Sequence, residues 1–489
     1  MAGDGNSTGD TIKGGNDDDV VGGGNGDDNI NGLGGSDTII GGGGDDRAFG
    51  GNGDDLVIGG GTGNDDTEGS DTLFGGAGDD TLVGSSWTDV DSDGNFDSGE
   101  ATSANGDGAN VVRAGDGNDA LWGGGGTDVL GGGTGSDVIS GQGGNDTIFG
   151  GANADSDTVS GGDGDDLIFG GDGCDDVAGG NGADSLFAGA GNDNISGGDG
   201  SDTMYGANGD DTAHGGDGDD FFFGGNGNDT GVGGNGDDVE NGGDGSDILI
   251  GDGTDTFSPG AATSGSDTLF GGAGDDTLVG SSWDDSDNDG AVDDGETSNS
   301  SADGGDAMWA GDGNDVMWGG GNDDVVGGGT GNDDIAGQGG NDTIYGGGGA
   351  GSDTLVGGDG DDLVFGGGGS DILQGNDNDD VLRGGTGTDT LFGGAGDDTL
   401  FGGANGDTFV FDATSDSNDT IADFDLSEDV IDLSATVTDF TDLQSVTNAA
   451  SDTTQNGQDG VLISLGGTTT LFVQGITVAD LTDSNFLLG

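Results

Sequence analysis

A nine-residue period runs without insertion or deletion through residues 161–250, from GGDGDDLIF (Gly161 to Phe169) to GGDGSDILI (Gly242 to Ile250). Every unit has glycine at its fourth position and aspartate at its sixth, Asp166 through Asp247. The eighth position is usually apolar: Ile168, Val177, Leu186, Ile195, Met204, Phe222 and Leu249. A period of nine matches neither a helix nor a simple alternating strand. It suits a coil in which a six-residue glycine-rich turn leads into a three-residue strand, with two units closing one full turn. The eighth side chain then lies between two short parallel sheets, in a core one side chain deep. Ten units in strict register argue against a glycine-rich disordered linker.

The residues of the unit also define its chemistry. Glycine lets the backbone bend so that carbonyl oxygens point into the turn, and the sixth-position aspartate adds a carboxylate. Oxygen donors without sulfur or imidazole suit a hard cation such as Ca²⁺. The candidate ligands are Asp28, Asp37, Asp46, Asp55 and Asp80 in an N-terminal roll (1–83). A central roll (106–279) adds Asp119, Asp128, Asp137, Asp146, Asp166, Asp175, Asp184, Asp193, Asp202, Asp211, Asp220, Asp229, Asp238, Asp247 and Asp276. A C-terminal roll (302–411) adds Asp315, Asp324, Asp333, Asp342, Asp362, Asp371, Asp380, Asp389 and Asp398.

Two insertions, 84–105 and 280–301, interrupt the period after an identical GGAGDDTLVGSSW that contains Trp87 and Trp283. The first carries Asp89, Asp91, Asp93, Gly94, Asp97 and Glu100; the second carries Asp285, Asp287, Asp289, Gly290, Asp293 and Glu296. Both satisfy the calcium-loop pattern D-x-[DN]-x-[DN]-G-x₅-E at every ligand position. Their flanks lack helical character, so isolated loops are expected rather than paired EF-hands. The insertions belong to a larger duplication, in which residues from about 66 to 179 match those from about 262 to 375 at an offset of 196.

The pattern GGxGxDxUx resembles that of RTX (repeats-in-toxin) proteins, and the resemblance covers roughly nine tenths of the chain. It implies an all-β, right-handed parallel β-roll, a β-solenoid with two repeats per coil. It also implies Ca²⁺ between successive turns, held by the aspartate and loop carbonyls, at roughly one ion per complete repeat. Phe409-Val-Phe411, Asp419-Thr-Ile421 and Asp429 to Leu433 look like the closing segment of such proteins. Val461–Leu465 and Thr470–Val473 read as a hairpin inside a C-terminal β cap, 412–489. The ending, Asp480 and Asp483 with Phe486-Leu487-Leu488, resembles the uncleaved signal of type I secretion substrates. That makes the type I apparatus an implied partner and the extracellular space or cell surface an implied location.

Charge gives the strongest physical constraint. Four Lys+Arg stand against 99 Asp+Glu, a formal balance of −95, and only 28% of residues are apolar. Without counter-charge such a chain stays expanded, so metal binding and folding are one event. Extracellular calcium modules bind with Kd of roughly 10⁻⁴–10⁻³ M. Free Ca²⁺ at about ten times Kd stabilises each site by about 1.4 kcal/mol, whereas cytosolic levels give almost nothing. Folding outside the cell is therefore expected. So acidic a surface disfavours nucleic acid. No stretch reaches the length of a transmembrane helix, and Met1–Asp10 does not read as a signal peptide. Cys174, the one cysteine, sits at a fifth position and reads as a neutral Asp/Asn replacement.

Inward positions carry unequal side chains. Phe222 is largest, and Ala213 and Gly231, facing it from the other sheet, are smallest. Glu240 at an inward position departs from the pattern, with fraying or an outward flip as readings. Outward ninth positions Phe169, Phe187, Tyr205 and Phe223 are eighteen apart and should stack on one face. His214 belongs to the opposite, small-residue face. One His, one Cys and four basic residues leave few candidates for acid–base or nucleophilic work, and repeats begin almost at once, so an enzyme is not expected. The expected function is a secreted calcium-binding structural protein whose copies pair head-to-tail or laterally into a filament or surface layer. A monomeric calcium-dependent adhesin or matrix component using the Trp-containing insertions is the alternative.

Overall fold

The computed structural model describes residues 9–61, 69–85, 108–253, 265–281, 304–411, 417–434, 442–466 and 468–488. The insertion ligands Asp89, Asp91, Asp93, Asp97, Glu100, Asp285, Asp287, Asp289, Asp293 and Glu296 lie outside these residues. The chain divides into two compact units, residues 1–231 and 232–489. Each is a parallel β-solenoid in which successive strands alternate between two sheets.

In the first unit one sheet stacks Leu167–Asp172, Ser185–Ala190, Thr203–Asn208 and Phe221–Asn226. Their eighth positions form one column, Val112, Leu130, Ile148, Ile168, Leu186, Met204 and Phe222. The opposite sheet contributes Leu121, Ile139, Val159, Val177, Ile195 and Ala213. All are buried. The second unit repeats the plan, with Val326, Ile344, Val364, Leu382 and Leu400 in one column and Ile335, Leu355, Leu373, Leu391 and Phe409 in the other. Phe222 is accommodated because Ala213 and Gly231, both buried, bring almost no side-chain volume.

The regular strand is six residues long, not three. Leu167–Asp172 covers positions seven to nine of one unit and one to three of the next, which leaves only positions four to six as turn. The ladder registers Phe169 with Phe187 and then Gly171 with Gly189, skipping Gly170. The first glycine is thus a bend inside a strand. Positive φ falls at the second and fourth positions, 118° at Gly162 and 129° at Gly164, where a Cβ would be strained.

Glu240 neither flips outward nor frays: it stays inward on Val239–Asp244, 1% exposed and registered with Leu269. The outward aromatic column forms, with ring centroids 5.1 Å apart for Phe169–Phe187 and 4.9 Å for Phe187–Tyr205. Tyr205 and Phe223 are tilted by 50° at 6.4 Å, and Phe149 adds a further stacked ring at 5.1 Å from Phe169. His214 is half-buried on the opposite sheet and registers with Ser196. Cys174 is exposed, and its N–H donates to Ser156 Oγ at 3.3 Å.

The end of the second unit closes the roll. Gln458–Gly466 and Thr469–Gln474 form the expected hairpin, and Ala450–Gln455 adds a third antiparallel strand. Thr469–Gln474 runs parallel to Asn418–Ile421 and so joins the hairpin to the solenoid sheet. Phe486–Leu487 pairs with Val430–Asp432 in the other sheet. Between these, a seven-residue helix, Leu443–Ala449, starts at an Asp442 cap and buries Val446. Among the described residues no helix is long and apolar enough to cross a membrane.

Candidate metal centre

The sixth-position aspartates are buried, and their carboxylates form a ladder along each unit. Oδ1 of Asp184 accepts the backbone N–H of Asp166 at 2.7 Å, and Oδ1 of Asp202 accepts that of Asp184 at 2.7 Å. The same bond joins Asp175 to Asp193, Asp193 to Asp211 and Asp211 to Asp229 at 2.8–2.9 Å. In the second unit it joins Asp315 to Asp333, Asp342 to Asp362, Asp362 to Asp380 and Asp380 to Asp398. Each aspartate carbonyl also accepts a strand N–H of the next coil, as Asp166 does from Ser185 at 2.8 Å.

The second carboxylate oxygen is different. Oδ2 of Asp166, Asp184, Asp202, Asp211, Asp362 and Asp380, among others, is buried with no hydrogen-bond partner. It lies against the first glycine of its own unit. A Cβ built on Gly179 would collide with Asp184 Oδ2 and stand 2.7 Å from the carbonyl oxygen of Gly197, one coil on. A carboxylate oxygen and a backbone carbonyl therefore converge on one small space beside the first position, which is glycine in most units and the smallest Cβ-bearing residue, alanine, at 114, 188 and 310.

The electrostatics favour a cation there. Burial pushes the Asp184 carboxyl up to about 7, with neighbouring carboxylates Asp202, Asp166 and Asp165 adding to the rise and the N–H bond opposing it. Asp46, Asp80, Asp137 and Asp211 also rise to about 7, and Asp146 and Asp380 to about 8, burial being the first cause each time. Like charges one coil apart, about 4.8 Å, repel by roughly 3–4 kcal/mol at an effective dielectric near 20. One charge-assisted hydrogen bond returns about 1.5–3 kcal/mol. Repulsion wins unless a proton or a cation intervenes. Among the described residues no three acidic, histidine or cysteine side chains gather as a ready-made cage. The donors are one carboxylate oxygen per turn plus carbonyl oxygens, a set that fits Ca²⁺.

Asn110 supplies an internal control. It occupies the ladder position of an aspartate, and its Oδ1 accepts the Asp71 N–H at 2.8 Å. Its Nδ2 donates to the Gly123 carbonyl at 3.1 Å. Where the carboxylate becomes an amide, an N–H fills the space that Oδ2 and a carbonyl oxygen otherwise leave to a positive charge. Ends of the ladder are also satisfied by protein donors. Asp19 Oδ2 accepts the Gly15 N–H at 2.6 Å, and Asp429 Oδ2 accepts the Asp425 N–H at 2.7 Å.

Several further ladder carboxylates flank an insertion, keeping the nine-residue spacing on one side only. Asp71, Asp157, Asp267, Asp306, Asp353 and Asp407 are buried like the regular ones. Asp46 N–H reaches Asp71 across 25 residues at 2.9 Å, Asp137 reaches Asp157 across 20 at 2.8 Å, and Asp267 reaches Asp306 across 39 at 2.8 Å. The rungs thus form across the inserted residues. A Ser-Asp-Thr signature, at 70–72, 156–158, 266–268 and 352–354, marks where four of them rejoin. The cap continues the ladder, with Asp398 and Asp407 donating to Asp419 and Asp429.

Comparison with known proteins agrees. The family model described as the RTX calcium-binding nonapeptide repeat (4 copies) matches residues 4–39, 31–66, 60–86, 105–139, 127–156, 152–186, 178–213, 205–240, 260–285, 301–335, 327–350, 348–377 and 374–409. No curated protein matches the chain. Among solved structures, the extracellular lipase LipA from Serratia marcescens is 18% identical over 50% of this chain and 45% of its own, at a TM-score of 0.19. The chain thus spans less than half the length of that lipase.

Proposed function

This chain belongs to the RTX calcium-binding repeat family, and on that premise we propose that it is a secreted structural protein which folds on Ca²⁺ outside the cell. The buried, unpartnered Oδ2 repeated along both units carries the reading. Asp28, Asp37, Asp46, Asp55 and their counterparts through Asp398 would each hold Ca²⁺ with loop carbonyls, at roughly one ion per complete repeat. The ion supplies positive charge and nothing catalytic. The chain's residues do the rest: glycines leave the space open, the Oδ1 bond fixes the carboxylate, and the eighth side chains close the core.

The finer reading is assembly of calcium-loaded copies into an extracellular filament or surface layer, after export by a type I apparatus. Outward aromatics support it, since Phe149, Phe223, Phe270, Trp309 and Tyr345 are 37–45% exposed on an otherwise acidic surface. Neutralising the carboxylates would let such faces approach. Circular dichroism with sedimentation, in chelator and in millimolar Ca²⁺, tests the folding claim; a compact β signal persisting in chelator refutes it. Light scattering across the same titration tests assembly, which fails if folded protein stays monomeric at high concentration.

A further inference from the structure

In the first unit the outward column of one sheet reads Phe74, Arg113, Gly131, Phe149, Phe169, Phe187 and Tyr205, each registered on the next coil. From Phe149 through Tyr205 every coil presents a ring, and successive rings stack within 5° to 13° of parallel. At Gly131 the ring is missing. A Cβ placed there would meet no atom within 4 Å, and a cavity of about 540 Å³ opens, lined by Arg113, Val129, Gly131, Phe149 and Ala152. One skipped coil leaves about 9.6 Å between the planes on either side, twice the coil spacing of about 4.8 Å. That is room for one flat ring at stacking distance from both.

The duplicated half shows what fits. At the offset of 196, Arg113, Gly131 and Phe149 correspond to Trp309, Gly327 and Tyr345. There the indole of Trp309 leans over the glycine, so that a Cβ on Gly327 would lie 3.1 Å from its Cδ1 and 3.5 Å from its Nε1. The second unit covers its gap with its own aromatic ring; the first has a guanidinium in place of that ring. Two other arginines of the chain lie over outward rings. Arg47 lies 5.0 Å from the Phe49 ring and Arg383 lies 4.1 Å from Phe401.

We propose that the gap at Gly131 is a binding site for a small planar aromatic acid. Its ring stacks on the bare face of Phe149, and the Arg113 guanidinium closes the other side and faces the acid group. The site is independent of assembly and needs Ca²⁺ only to keep the roll folded.

The test uses the full chain in millimolar Ca²⁺, with 2-naphthoate as probe and cyclohexanecarboxylate as the non-planar control, read by titration calorimetry. One site per chain is expected, with at least tenfold preference for the planar acid. Gly131→Phe, which fills the gap with the chain's own ring, should weaken binding at least tenfold, and Arg113→Gln should weaken it severalfold. Trp309→Arg should uncover the equivalent gap and raise the stoichiometry to two. Circular dichroism establishes that each variant is folded. Equal affinity for both acids, undiminished binding by folded Gly131→Phe, or one site in folded Trp309→Arg would each overturn the proposal.

Discussion

A single carboxylate in this protein has two unlike oxygens, and substitutions can separate them. Asp184→Asn keeps Oδ1 for the Asp166 N–H and offers Nδ2 to the Gly197 carbonyl, as Asn110 does to Gly123. The variant should bind one Ca²⁺ fewer yet fold, whereas Asn110→Asp should bind one more; ion counting by equilibrium dialysis checks both. Asp184→Ala should be worse than Asn by about 1–3 kcal/mol, because it strands the Asp166 N–H. Protons compete with the cation at the same oxygen. The Asp184 carboxyl is raised to about 7 in the metal-free fold from 3.8, and others lie between about 6 and 8. Raised values mean that the metal-free fold is most stable below the unfolded value of 3.8 and loses that stability as pH climbs through 6 to 8. Chelated protein should therefore gain β structure on acidification toward pH 4. The Ca²⁺ concentration needed for half-folding should fall as pH drops from 8 to 6, while the Ca²⁺ bound per folded chain at a given concentration falls because protons occupy the same oxygens. Circular dichroism at several pH values checks both, and a metal-free signal independent of pH contradicts the assigned cause.

At the scale of strands and loops, each coil hangs on one buried side chain per sheet. Phe222→Ala would leave a cavity opposite Ala213 and Gly231, which cannot grow to fill it. A loss of about 3–5 kcal/mol is expected, seen as a lower melting temperature in saturating Ca²⁺. Insertions behave differently. Asp80 N–H still reaches Asp119 Oδ1 across 39 residues at 2.6 Å, so the rung forms across the insertion. Replacing Asp89, Asp93 and Glu100 by Ala should thus remove one Ca²⁺ without shifting the cooperative transition of the roll; loss of that transition would place the loop in the folding nucleus. The core and the regular rungs were legible because period nine fixes both the inward eighth position and the sixth-position carboxylate. Two features were not. Strand length escaped because glycines at positions one to three carry no side-chain pattern, although their backbones pair. Asp71, Asp157, Asp267 and Asp353 escaped because inserted residues break their spacing from the rung before, although each lies nine residues ahead of the next rung and the hydrogen bond is unchanged.

Over the whole molecule, 99 acidic residues against four basic ones make the cation part of the fold. Each site at Ca²⁺ of about ten times Kd adds about 1.4 kcal/mol, and neighbouring sites share carboxylates that repel when bare. Folding should therefore be steep in Ca²⁺, with a Hill coefficient well above one; a shallow, independent-site titration would contradict the shared ladder. High salt should lower the Ca²⁺ requirement only modestly, since the rungs are buried from the screening ions. The rungs also have a sense. Sixth-position aspartate N–H groups are answered by the carboxylate of the following coil, and Asp419 and Asp429 answer Asp398 and Asp407 from within the cap. Fifth-position N–H groups such as those of Asp45, Asp79, Asp379 and Asp397 instead donate to carboxylates of the preceding coil. Within each unit a coil is therefore held from both sides, its sixth position by its successor and its fifth by its predecessor, so a coil lost from either end leaves a donor unanswered in the one that remains.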